Sequence, residues 1–193
     1  MTSAQPWLKF TAAPLGGLLV VERRRQDDQR GFFGRLFCAE ELGAAGFGTS
    51  IAQINHSFTR RRGSVRGLHF QVPPHGEAKF VSCLRGEVFD VAVDLRRGSP
   101  TYLRWHAEHL SEANHRSLLI PRGFAHGFQT LSDDCELLYL HSAPYAAGAE
   151  GGLNPTDPAL DIRWPLPFTD ISERDAAHAA LAADFSGLAE NSK

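Results

Sequence analysis

An all-β fold, with two sheets packed face to face as a jelly roll, is the architecture this chain predicts. Three observations carry it. Ten short runs rich in β-branched and aromatic residues (17–21, 31–37, 51–58, 65–70, 80–84, 88–95, 103–110, 117–120, 127–131 and 136–141) are punctuated by Gly, Pro, Asn and Asp. Many short strands at such spacing read as a sandwich or barrel, and the runs do not alternate with the crossover helices of a parallel sheet. Finally, Pro121-Arg122-Gly123-Phe124-Ala125-His126-Gly127-Phe128 places a tight Pro/Gly turn before a histidine at the start of the next strand. Pro-x-Gly-x-x-His is a pattern of double-sheet jelly rolls.

Each element follows from its local pattern. Runs 17–21 and 31–37 open on glycines and continue with Leu, Val and Phe. Residues 39–45 lack β-branched side chains and predict a short helix. From 51 to 141 the remaining eight strands succeed one another, with turn residues between them. Near the C-terminus, Ser172 precedes Glu173-Arg174-Asp175, a capping-box arrangement with Asp in place of Glu that predicts a second short helix. No repeat, low-complexity tract or linker divides the chain, so residues 1–193 read as one domain.

Composition bounds the function. Of 193 residues, 42% are hydrophobic and 22% charged, a globular balance. A net charge of −2 offers no basic footprint for nucleic acid. The start, Met1-Thr2-Ser3-Ala4-Gln5-Pro6-Trp7, lacks the charged and apolar regions of a signal peptide, and no apolar run suffices to span a bilayer. Cys38, Cys83 and Cys135 are odd in number and widely spaced, as reduced thiols are, so a cytoplasmic location is expected.

The stretch Val65-Arg66-Gly67-Leu68-His69-Phe70-Gln71 carries the chemistry. On a regular strand, Val65, Gly67, His69 and Gln71 share one face and Arg66, Leu68 and Phe70 the other, unless the glycine introduces a bulge. A histidine on a rigid strand near a guanidinium sets a base beside an anion-binding group. Two chemistries fit. One is a jelly-roll metal site, but Phe70 and Gln71 follow His69 where a His-x-His pair is needed, and His75 and Glu77 sit in a turn. The other is metal-free proton transfer at a carbon beside a carbonyl. It needs a base, a cation at the developing enolate and a proton donor on the far face. His69, Lys79 with Arg66, and Tyr139 are of the types required, and Arg30, Arg66 and Arg174 suit an anionic substrate.

These residues fall in ordered motifs: Arg30-Gly31-Phe32-Phe33, Gln53-Ile54-Asn55-His56-Ser57, Arg66-Gly67-Leu68-His69, Lys79, Gly86 through Asp94, Pro121 through Phe128, Tyr139 with Tyr145, Asn154-Pro155-Thr156-Asp157-Pro158, Trp164-Pro165 and Ser172-Glu173-Arg174-Asp175. In that order, from about Arg30 to Asp175, the chain resembles the dTDP-4-dehydrorhamnose 3,5-epimerases and related nucleotide-sugar epimerases. The resemblance implies a cupin jelly roll (a double-stranded β-helix with short peripheral helices) and a homodimer whose N-terminal strand pairs into its partner's sheet. It implies epimerisation of a dTDP-linked 4-keto-6-deoxy sugar at C3 and C5, without metal or other cofactor. It casts His69 as base, Asp175 as its carboxylate partner, Tyr139 as acid and Lys79 as the enolate's counter-charge. Arg30 and Arg66 become diphosphate ligands, with Arg174 at a basic position of the family. Gln53, Asn55 and Glu150 become nucleotide or sugar contacts, His126 lines the sugar pocket, and Tyr145 stacks on the base. One departure stands out: Arg35 occupies the acidic position of the family's first motif. A C3-only epimerase, an epimerase of another nucleotide sugar and a catalytically silent sugar-nucleotide-binding cupin are the alternatives.

Overall fold

The computed structural model describes residues 5–48 and 50–189. Strands β1 (Leu8–Ala12) and β2 (Leu19–Arg23) lead to a hairpin of β3 (Arg25–Asp28) and β4 (Gly31–Gly34), then to helix α1 (Ala39–Ala44). Eight strands follow: β5 (Gln53–Thr59), β6 (Ser64–Gln71), β7 (Lys79–Arg85), β8 (Glu87–Asp94), β9 (Trp105–Ser111), β10 (Arg116–Ile120), β11 (Phe124–Thr130) and β12 (Cys135–His141). A 3-10 turn at Ala147–Ala149, β13 (Glu150–Gly152), β14 (Asp170–Ile171) and helix α2 (Glu173–Ala176) complete it. Among the described residues no helix is long and apolar enough to cross a membrane.

One sheet runs β1-β2-β10-β7-β12-β5 and the other β13-β6-β11-β8-β9, with β14 parallel to β6. From β5 to β12 the chain passes repeatedly from one sheet to the other, which makes the expected jelly roll. Strand alternation builds the core between them. Val81, Cys83, Leu118 and Ile120 from the first sheet meet Val88, Ala92, Phe124 and Phe128 from the second. Each large buried apolar side chain there contributes about 1.5–3 kcal/mol. Outer faces are covered separately. Leu42 and Phe47 pack on Phe80, Leu119 and Leu140, while Leu153, Leu160 and Leu188 pack near Leu68, Phe70 and Val93. The three cysteines are unpaired.

Four strands were not legible in the sequence. β3 is Arg-Gln-Asp-Asp and fully exposed, so no apolar alternation marks it. β13 and β14 are short pieces recruited by pairing with β6, and β1 has only Leu8 buried. β11 begins at Phe124, so His126 lies inside the strand rather than at its start.

A bulge in β6 positions the site. Against β11, Arg66 pairs with Phe128 and His69 with His126, so Gly67 and Leu68 together oppose Gly127. The extra residue brings Arg66 to the face that carries His69, while Leu68 and Phe70 enter the outer core. Strict alternation therefore fails where the glycine allowed it to fail. Gly67 sits at φ +120, and a Cβ there would come 2.6 Å from the Gly127 Cα. Both glycines are required by this backbone approach.

Candidate active site

A cavity of about 770 Å³ opens between the sheets, within the size range of small-molecule sites. Strand β6 presents His69 on one wall and β12 presents Tyr139 on the wall formed by the other sheet. His126, the cross-strand neighbour of His69, stands edge-on to Tyr139 with ring centroids 6.1 Å apart. Its Nε2 lies 3.0 Å from both carboxylate oxygens of the fully buried Asp90.

Helix α2 delivers the partner of His69. The Ser172 hydroxyl caps it by accepting from the Asp175 amide at 3.0 Å, as the sequence predicts. The Asp175 side chain does not close a capping box; it turns inward. Oδ1 is 2.8 Å from His69 Nε2 and Oδ2 accepts the Gly67 amide at 3.1 Å. An Nε2–H donated to Asp175 leaves Nδ1 as the basic nitrogen. Burial pushes the His69 pKa down, and Arg174 and Lys79 add to this against the raising effect of Asp175; the net shift is downward. Burial pushes Asp175 up, but hydrogen bonds from His69 and Gly67 outweigh it and the carboxyl titrates below its usual range. The pair is thus a neutral imidazole beside a carboxylate at neutral pH. His69, Asp175 and His178 also bring donor atoms within 4.8 Å of one another. The Arg174 guanidinium, 3.0 Å from His69 Nε2, sets a fixed positive charge against a cation there.

The remaining groups are tied together. Lys79, buried at the start of β7, donates to the His69 carbonyl at 3.2 Å and lies 3.3 Å from Glu77. The Tyr139 hydroxyl is 3.1 Å from Ser57 Oγ. Burial drives its pKa strongly upward, only partly opposed by Ser57, so the phenol holds its proton. At the mouth Arg66 donates to Thr59 Oγ1 at 2.9 Å, and Glu150 accepts from the Tyr145 hydroxyl at 2.8 Å and from Arg174 at 3.1 Å. Tyr145 itself is 54% exposed, a ring free to stack.

Of the residues expected at the site, His69, Asp175, Tyr139, Lys79, Gln53, Asn55, Arg66, His126, Tyr145, Glu150 and Arg174 all line this cavity. Arg30 does not. It sits between β3 and β4, fully exposed and paired with Asp28 at 2.6 Å. Arg35 is likewise outside, 3.7 Å from Glu41 and over the Trp7 ring. Ser57, Gln71 and His141 line the cavity without being singled out by the sequence as site residues, and Glu77, weighed only as a metal ligand, lines it too. For His141 a signal existed, because it lies two residues beyond Tyr139 and so on the same strand face. His75, weighed with Glu77 as a metal ligand, is exposed and lies outside.

Comparison with known proteins decides the family. The family model for dTDP-4-dehydrorhamnose 3,5-epimerase matches residues 12–183. The chain belongs to the dTDP-4-dehydrorhamnose 3,5-epimerase family. A Streptomyces griseus dTDP-4-dehydrorhamnose 3,5-epimerase is 45% identical over 168 residues, covering 86% of this chain and 83% of that protein. A Streptomyces niveus dTDP-4-dehydrorhamnose 3-epimerase is 41% identical over 88% of this chain and 83% of its own. Among solved structures, a Legionella pneumophila dTDP-6-deoxy-D-glucose-3,5-epimerase in complex with dTDP-4-keto-L-rhamnose superposes with TM-score 0.87. It is 36% identical and covers 94% of this chain and 98% of that one. The cupin jelly roll expected from the motifs is the fold of this family member.

Proposed function

We propose that this protein epimerises dTDP-4-dehydro-6-deoxy-D-glucose at C3 and C5 to dTDP-4-dehydro-L-rhamnose, as a single epimerase domain. The observation that carries the reading is one cavity with a carboxylate-paired imidazole on one wall and a protonated phenol on the other. His69 removes the proton from the carbon beside the C4 ketone. The resulting imidazolium is stabilised by Asp175, while Lys79 faces the charge growing on the C4 oxygen. Tyr139 returns a proton from the opposite face and inverts the carbon. Its raised pKa keeps that proton in place until the enolate forms.

Arg66 and Arg174 take the diphosphate, Gln53, Asn55 and Glu150 contact the nucleotide or sugar, and Tyr145 stacks on the base. His126, pinned by Asp90, shapes the sugar pocket. Binding energy from this remote end serves to orient the reacting carbons. These side chains supply base, counter-charge and acid, so the chemistry calls on no cofactor.

A homodimer fits the exposed parts of the chain. β1 forms an open edge of its sheet, and such edges pair readily. Phe32 and Phe33 on the β3–β4 hairpin are 66% and 67% exposed, so this hairpin, with Arg30 at its turn, is the segment placed to meet a partner. Unpaired cysteines suit work in the cytoplasm.

The test is turnover of the dTDP-linked 4-keto sugar in deuterated water. Label at both C3 and C5 is expected. Label at C3 alone favours a 3-epimerase, the activity named for the Streptomyces niveus relative; dTDP binding with no label at either carbon removes the enzymatic reading.

A further inference from the structure

Glu77 and His141 have no part in the chemistry above, yet they anchor a continuous hydrogen-bond array along the cavity. The Glu77 side chain is 9% exposed and that of His141 11%. Burial pushes the Glu77 carboxyl up, but the His141 hydrogen bond and the Lys79 charge outweigh it and hold the group ionised. One oxygen, Oε1, lies 3.3 Å from Lys79 Nζ, and the other, Oε2, is 2.8 Å from His141 Nδ1.

The carboxylate sets the tautomer of His141: Nδ1–H donates, which leaves Nε2 to accept from Asn55 Nδ2 at 3.4 Å. Asn55 Oδ1 in turn accepts from Gln53 Nε2 at 2.9 Å, and Gln53 Oε1 accepts the Tyr145 amide at 3.0 Å. Every link has its donor and acceptor in compatible roles, and all donors point toward one terminus, the Glu77 carboxylate. On its other side that carboxylate meets Lys79, whose ammonium also donates to the His69 carbonyl at 3.2 Å. His141 further stacks on the Tyr139 ring, 6.2 Å between centroids and 25° apart.

We infer that Glu77 and His141 are positioning residues that hold the Lys79 ammonium against the His69 carbonyl and tie it to the Gln53–Asn55–Tyr145 end of the cavity. The inference rests on Lys79 acting as the enolate's counter-charge. Without Glu77 a buried ammonium with three donors keeps one carbonyl acceptor and no charge partner, a costly state that the side chain leaves by swinging away. His141 matters because it fixes the carboxylate that fixes the lysine. Occupancy of the nucleotide end is thereby felt at the reacting carbon through hydrogen bonds rather than through a moving segment.

The test compares Glu77→Gln, His141→Ala, His141→Asn and the Glu77→Gln/His141→Ala double variant. Glu77→Gln keeps size and an acceptor for His141 while removing the charge. Its kcat is expected to fall at least tenfold, with KM and the calorimetric affinity for dTDP within threefold of wild type. His141→Ala follows in the same direction, and His141→Asn, whose amide nitrogen sits near the place of Nδ1, recovers most of that loss. The double variant is expected within about twofold of Glu77→Gln, because residues acting through one group are not additive. Wild-type kcat in Glu77→Gln, dTDP affinity falling in step with kcat, or multiplicative losses in the double variant would each overturn the inference. A crystal structure of Glu77→Gln with dTDP decides it independently of turnover. Lys79 Nζ displaced from the His69 carbonyl supports the inference, and Nζ in its wild-type position overturns it. Wild type that incorporates no solvent deuterium removes the role of Lys79 at an enolate, while that structure still reports on its positioning.

Discussion

Two buried carboxylates, one on a strand and one on a helix packed against the same sheet, do different work. Asp94, at the end of β8, receives Arg96 through Nε at 2.9 Å and a terminal nitrogen at 2.8 Å, together with the hydroxyls of Ser99 and Thr101 at 2.6 Å. Burial pushes its pKa up, but these donors outweigh it and bring it to about 2. Asp175, on α2 against β6, receives His69, the Gly67 amide and the edge of Arg174. Both are ionised and both are satisfied. Every partner of Asp94 is a permanent cation or a neutral donor, so nothing there titrates near neutrality. The main partner of Asp175 is an imidazole facing a cavity. Burial of a charge therefore does not mark a site; a titratable partner with access to a ligand does.

Removing the titratable member breaks the comparison most completely. His69→Ala is expected to lower deuterium incorporation at C3 and C5 by at least about 10³-fold, within the range for loss of a general base, with thermal unfolding unchanged within a few degrees. Incorporation at the wild-type rate would take His69 out of the reaction. Tyr139→Phe leaves the base in place and removes the phenolic proton. A fall of about 10²-fold in epimerised product, with dTDP affinity within threefold, is the expected result. Unchanged product formation would assign the returning proton to another donor.

How far these two regions were legible in the sequence differs for a physical reason. His69, Asp175, Tyr139 and Lys79 stood in local motifs on strands or at a helix start, where residue type and face constrain each other. Their convergence required strand order, which spacing does not encode. Arg66 would point away from His69 by strict alternation, and only the Gly67–Gly127 contact brings it back. Glu77 reads as a turn residue because its partners, Lys79 and His141, come from β7 and β12, with more than sixty residues separating Glu77 from His141. Asp94 lies in a run that reads simply as a buried strand, and its hydroxyl partners lie in the loop beyond it. The all-β class survived because it depends on local composition and turn residues, which need no long-range contact. The β3 strand did not, since exposed pairing leaves no apolar trace.

At Asp94 the expected effect is on stability, not on catalysis. A carboxyl lowered from 3.8 to about 2 by folding contributes about 2 kcal/mol above its unfolded pKa. That contribution is present at neutral pH and is lost as pH falls from about 4 toward 2. Asp94→Asn is therefore expected to lower the unfolding free energy by about 2 kcal/mol at pH 7, and by progressively less in acid. Its deuterium incorporation should match wild type wherever the protein is folded. A deficit that stays constant down to pH 2 would show that packing, rather than the charge, is what Asp94 supplies.

The smallest effect concerns the arginine beside each carboxylate. Arg174 is among the influences that hold the His69 pKa down, after burial and opposed by Asp175. Removing its charge in Arg174→Ala lets the imidazole take a proton at higher pH. The acid limb of kcat/KM, which follows protonation of the free enzyme's base, should therefore move upward. Its side chain is 57% exposed, so solvent and salt screen its field. The expected displacement is small and shrinks at high ionic strength. KM for the nucleotide sugar should rise as well, because Arg174 also holds Glu150, the acceptor of the Tyr145 hydroxyl. The matching change at the other carboxylate, Arg96→Lys, should lower stability and leave the limb where it is. A limb that moves downward in Arg174→Ala would mean that a group other than His69 titrates there, and the contrast between the two carboxylates would lose its basis.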